Sequence, residues 1–174
     1  MELRGPEVKI SRGTPLSLAE RFLERALFAY SKDKFEDALS DMDAAVEAEP
    51  HNAELYATRG FILARAGHDS EAEPDLEKAL KINPQQWLAH YTRAMMAFKT
   101  GDLDKALGHL AVAKVVAPRR PEILIYQAAA YYHKKDKPNA QKIIAEAVEI
   151  IESGDKKLLK EAKKWQKAIN DLLA

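Results

Sequence analysis

The sequence predicts an all-α chain: tandem helical hairpins, four of them, closed by one further helix. Three observations predict it. Small residues recur every 34 positions in three separate rows, prolines recur at the same spacing, and within each period two helically patterned stretches flank a short polar turn.

The elements follow in chain order. Residues 1–16 precede the repeats, and Pro6, Gly13 and Pro15 argue against helix there. Two readings of this extension stay open: a free tail, or a segment that packs Val8 and Ile10 onto the first hairpin or into a groove. Ser17-Leu18-Ala19-Glu20 is a capping box and places the first helix start near Ser17. From there Ala38, Ala72, Ala106 and Ala140 form one row, and Ala45, Ala79, Ala113 and Ala147 a second. The third row is Ala26, Gly60, Ala94 and Ala128. Small side chains at fixed spacing suit close helix crossings, where larger ones would push the axes apart. Large apolar residues keep the register at Met42, Leu76, Leu110 and Ile144, and at Phe22, Tyr56 and Leu124, with His90 as the exception.

The turns carry their own signals. Gly67 and Gly101 fit a left-handed helix C-cap, and Asp69 and Asp102 fit the N-cap that follows. Asp33 and Lys135 stand where that glycine would be in the first and fourth hairpins, so those turns should be less ideal. Pro50, Pro84 and Pro118 end the second helices of the first three hairpins, with Glu152 where a fourth proline would fall, while Pro74 lies inside one and should bend it locally. After residue 154, Asp155 opens a last helix. Leu158, Ala162, Trp165, Ile169 and Leu172 form its apolar stripe, and Lys156, Lys160, Lys163, Lys164 and Lys167 occupy the other side. One face can close the last hairpin's core while the other stays in water. The lysines read as a solvated face or as a contact for an acidic partner or anionic surface.

With small residues at repeat positions 8, 20 and 27, large apolar ones at 4 and 24, and proline at 32, the chain resembles the tetratricopeptide-repeat (TPR) family over residues 19–154. The repeats would be 19–52, 53–86, 87–120 and 121–154, with 155–174 as a capping helix. The resemblance implies a right-handed α-solenoid whose first helices line a concave face, with positions 2, 5, 9, 12 and 13 pointing inward. On that carry-over, and adding Tyr126 beside it, the expected peptide-binding groove comprises Leu23, Leu27, Tyr30, Phe61, Leu88, Tyr91, Met95, Phe98, Ile125, Tyr126 and Tyr132. A groove of aromatic and aliphatic side chains suits an apolar or amphipathic peptide. The chain's own ends or a second copy could cover the same surface.

The family's chaperone-carboxylate clamp is not implied. Its positions here read Leu23, Leu27, Thr58, Leu88 and Thr92, or one repeat later Ala57, Phe61, Thr92, Glu122 and Tyr126, and neither frame supplies its lysines, asparagines and arginine. Arg25, Arg59 and Arg93 depart from the usual pattern at position 7, with Gln127 in the fourth repeat. Their heads reach solvent or carboxylates, or they form a row that holds an anion.

Composition bounds the rest. Charges cancel overall, with 27 basic and 27 acidic side chains, so there is no global case for nucleic acid. Residues 1–50 carry 7 basic and 11 acidic side chains, and residues 119–174 carry 12 and 8. The absence of cysteine excludes disulfides and thiolate metal sites. No stretch approaches the roughly 18 apolar residues a membrane span needs, and no signal-peptide core is visible, so the cytoplasm is the expected compartment. His51, His68, His90, His109 and His133 are scattered without metal-site spacing, and neither a phosphate-cradling loop nor a nucleophile elbow occurs. The expectation is a non-enzymatic scaffold with no catalytic residue, metal or cofactor, whose partner is a protein or peptide. The alternative is a self-assembly module that forms homo-oligomers.

Overall fold

In the computed structural model, residues 15–151 and 155–172 are described. The expectations placed on Val8 and Ile10 lie outside the described residues, as does the end of the fourth repeat. All regular structure among the described residues is helical: α1 (Leu18–Tyr30), α2 (Phe35–Ala48), α3 (Ala53–Ala66), α4 (Asp69–Ile82), α5 (Trp87–Lys99), α6 (Leu103–Val116), α7 (Pro121–His133), α8 (Lys137–Ile151) and α9 (Lys156–Asn170). The fold is an all-α helical-repeat solenoid. The chain forms two compact units, one running through Thr92 and the other beginning at Arg93. In the first unit α1 packs on α2, α2 on α3, and α3 on α4. In the second, α6 packs on α7, α7 on α8, and α9 lies against both α7 and α8.

The 34-residue rows are the core. Every alanine of the three small-residue rows is fully buried, and Met42, Leu76, Leu110 and Ile144 keep at most 1% exposure. Gly60 shows why the row is small. A Cβ there would lie 2.8 Å from Leu76 Cδ2, 3.0 Å from its Cγ and 3.3 Å from the Ala72 carbonyl oxygen.

The four hairpin turns repeat one hydrogen bond. Lys34 N–H donates to Ala29, His68 to Leu63, Asp102 to Ala97 and Asp136 to Tyr131, each across six residues at 2.9–3.0 Å. This is the six-to-one bond of a Schellman turn, which needs a left-handed residue just before the donor. Gly67 (φ 90°) and Gly101 (φ 82°) supply it in the middle hairpins, and Asp33 (φ 57°) and Lys135 (φ 61°) in the outer two. Ser17 forms both halves of its capping box with Glu20. Asp102 caps α6 through Lys105 N–H, whereas His68 takes the cap position of α4 and Asp69 becomes its first helical residue. Pro74 sits inside α4 and leaves one backbone carbonyl without its helical donor.

His90 breaks the large-apolar row without breaking the contact that Tyr56 makes. Tyr56 Oη donates to the Pro50 carbonyl at 3.2 Å, and one repeat later His90 Nε2 donates to the Pro84 carbonyl at 3.0 Å. Since a carbonyl only accepts, Nε2 carries the hydrogen.

Candidate functional site

The first helix of each hairpin contributes rings that meet the next. In the first unit the contacts run Phe35–Tyr30 (5.9 Å between centroids), Tyr30–Phe61 (5.6 Å), Phe61–Tyr91 (6.4 Å) and Tyr91–Trp87 (6.2 Å). Arg65 Nε donates to Tyr30 Oη at 3.2 Å. In the second unit Phe98 meets Tyr126 at 5.7 Å and His133 at 5.5 Å. Tyr132 and His133 in turn meet Trp165 of α9, at 5.7 and 6.2 Å. The steep interplanar angles, 70–89°, present ring edges to neighbouring faces, the favoured arrangement for their quadrupoles.

Burial divides the eleven expected groove residues. Leu23, Phe61, Leu88, Tyr91, Ile125 and Tyr126 keep at most 7% exposure, so they support the surface and present little of it. Leu27, Tyr30, Met95, Phe98 and Tyr132 are partly exposed and are what an approaching chain would meet. The physical reason is that an inward position on one hairpin also faces the first helix of the next, as the Tyr30–Phe61 and Phe61–Tyr91 contacts illustrate. Sequence reasoning assigned Trp165 to packing alone. It is partly exposed and stands among Tyr132 and His133, because the apolar stripe of α9 faces α7 as well as α8. The exposed ring of His133 completes that group.

Two members of the arginine row, Arg25 and Arg59, are held by carboxylates. Arg59 makes a two-pronged contact with Asp75, both bonds at 2.7 Å, and a third bond of 2.7 Å to Asp43. Asp75 is buried, and a planar fork matching a carboxylate is the strongest of the ion-pair geometries. The hydrogen bond to Asp75 is the largest influence raising the Arg59 pKa above its ordinary value. Burial opposes it, and Asp43 adds to it. Arg25 pairs with Asp41 at 3.0 Å. Arg59 is thus enclosed by two intramolecular carboxylates, whereas Arg25 meets one and stays largely exposed.

Other expectations concern absences. Among the described residues no three His, Cys, Asp or Glu side chains are grouped to hold a metal ion. No described helix is long and apolar enough to cross a membrane.

Comparison with known proteins adds a frame. A family model described as Tetratricopeptide repeat matches residues 53–86, the α3–α4 hairpin. A curated relative, DnaJ homolog subfamily C member 3 of Bos taurus, is 28% identical over 136 residues, covering 78% of this chain and 26% of its own length. The chain thus spans about a quarter of that relative. Among solved structures, PilW, described as a type IV pilus biogenesis factor, superposes with a TM-score of 0.71 at 19% identity over 88% of this chain and 71% of its own. YrrB, described as a TPR protein with an unusual peptide-binding site, gives 0.60 at 23% identity over 84% and 74%. Likeness at these identities is a likeness of fold.

Proposed function

Taking as premise that the chain is a tetratricopeptide-repeat protein, we propose that it is a non-enzymatic scaffold whose inward-facing first helices bind an apolar or amphipathic segment of another protein. The observation that carries this reading is the half-open ring group of the second unit, in which Phe98, Tyr132, His133 and Trp165 meet while remaining partly accessible. Rings of this kind offer a large rigid contact area at low entropic cost, and such residues dominate binding energy where they are accessible. Met95, partly exposed on the same helix as Phe98, adds an adaptable apolar contact. YrrB is described as binding peptide, which is consistent with this use of the fold.

The test is affinity capture from native lysate with wild type and a Phe98→Ala plus Tyr132→Ala variant. Both residues are partly exposed, so their loss should spare the core. Each truncation at a binding hot spot costs about 2 kcal/mol or more, so partner recovery should fall at least tenfold. Equal recovery, with unchanged helical content, would remove this surface from the account.

The self-assembly reading has one observation of its own. α6 is apolar on its outer face too, where Val112, Val115 and Val116 are exposed. Light scattering over a concentration range separates the two readings, since a persistent monomer excludes self-assembly.

A further inference from the structure

α1 has a second free face, roughly half a turn around the helix from Leu23, Leu27 and Tyr30. Along it run Leu18, Arg21, Arg25 and Phe28, with Lys32 in the turn just beyond, spaced three, four, three and four residues apart and all exposed. That is the spacing of a seam that meets another helix. Phe28 is 68% exposed, yet the residue one repeat later, Ile62, is fully buried. Arg25 and Arg59 are likewise equivalent. The Arg59 side chain is 22% exposed and held by Asp75 of its own hairpin and by Asp43 of α2, in the preceding hairpin. The Arg25 side chain is 68% exposed, and Asp41 of its own hairpin is its one carboxylate among the described residues. Within one chain, then, the same surface occurs twice. On α3 it is covered by α2, which brings the Asp43 carboxylate; on α1 none of the described residues covers it. A recess of about 540 Å³ lies beside Phe28 between α1 and α2, with room for a bulky side chain.

We infer that this face of α1 docks an acidic amphipathic helix from a separate polypeptide. Apolar residues of that helix cover Leu18 and Phe28, and its carboxylates reach Arg21, Arg25 and Lys32. The template is α2 on α3, where Asp43 bridges to Arg59 across the hairpin boundary. Charge decides against the chain's own last helix as occupant. The free face of α9 carries Lys156, Lys160, Lys163, Lys164 and Lys167, like in sign to the guanidinium it would approach. The docking is independent of the ring surface proposed above.

The probe is a labelled synthetic peptide of about 18 residues, long enough to hold a helix, with leucines in a three-four stripe flanked by glutamates. A companion peptide carries lysine for glutamate. Binding to the full chain is read by fluorescence anisotropy. The acidic peptide should bind, and Phe28→Asp should weaken it about tenfold, as should Arg21→Glu combined with Lys32→Glu. On that double variant the lysine peptide should bind in its place. Phe98→Ala plus Tyr132→Ala should leave all of this unchanged, so the failure of one surface is distinguishable from failure of the other. No binding, equal affinity across the α1 variants, or loss on Lys160→Glu plus Lys164→Glu instead would overturn the assignment. So would a wild-type dimer that Phe28→Asp disperses, since the occupant would then be a second copy.

Discussion

Replacing Gly60 with alanine sets two effects of known size against each other. Gly60 lies within α3, where glycine costs about 1 kcal/mol relative to alanine, so the added methyl group gains that much in helix propensity. The same methyl would sit 2.8 Å from Leu76 Cδ2 and 3.3 Å from a backbone oxygen. Leu76 is fully buried and has little room to turn away, and overfilling a core costs about 1–3 kcal/mol. The crowding should win, with a net loss of about 1 kcal/mol and a Tm lowered by about 2–4 °C. Gly108 supplies the control. It lies in α6 with nothing within 4 Å of a built Cβ, so Gly108→Ala keeps the propensity gain alone and should raise Tm by a similar amount. Circular dichroism at 222 nm against temperature and urea reads both. If both variants gain stability, Leu76 yields freely, and the close approach of α3 and α4 is not what keeps this position small.

Other outcomes follow from the ion pairs and the turns. Asp75→Ala leaves the half-buried Arg59 guanidinium without its two-pronged partner and should cost about 3 kcal/mol in urea unfolding. Asp43→Ala, at an exposed carboxylate, should cost under about 1 kcal/mol; equal losses would mean that burial does not set the worth of the pair. Lys135→Gly relieves a left-handed lysine and should stabilise by about 1 kcal/mol, which a raised Tm checks and an unchanged one refutes.

The frame of the fold was legible because a helix crossing accepts only a small side chain, and that demand recurs at every hairpin. Asp33 and Lys135 were readable as poor turn residues for the same kind of reason: one backbone angle is required whichever residue stands there. His90 looked like a fault in its row, since pattern reading sees apolar character and not the hydrogen bond that Tyr56 and His90 both make. The arginines announced themselves, but their partners did not, although an aspartate follows Arg25 and Arg59 at the same offset of sixteen residues. The candidate site was less legible. Whether an inward-facing side chain is wall or core depends on how near the next helix comes, and no spacing within one hairpin encodes that distance. This is why Phe61, Tyr91 and Ile125 proved buried while Phe98 and Tyr132 did not. Trp165 joined Tyr132 and His133 from a helix more than thirty residues away, a proximity that exists only once α9 has folded back.

The corners of the first and fourth hairpins are bent around residues that resist the bend, and both corners are studded with exposed lysines: Lys32 and Lys34 at one, Lys134 and Lys135 at the other. The glycine corners between them are relaxed. Heat or a dilute protease would then find the molecule ajar at its outer joints first, and trypsin would nick it there while the middle hairpins still held shut.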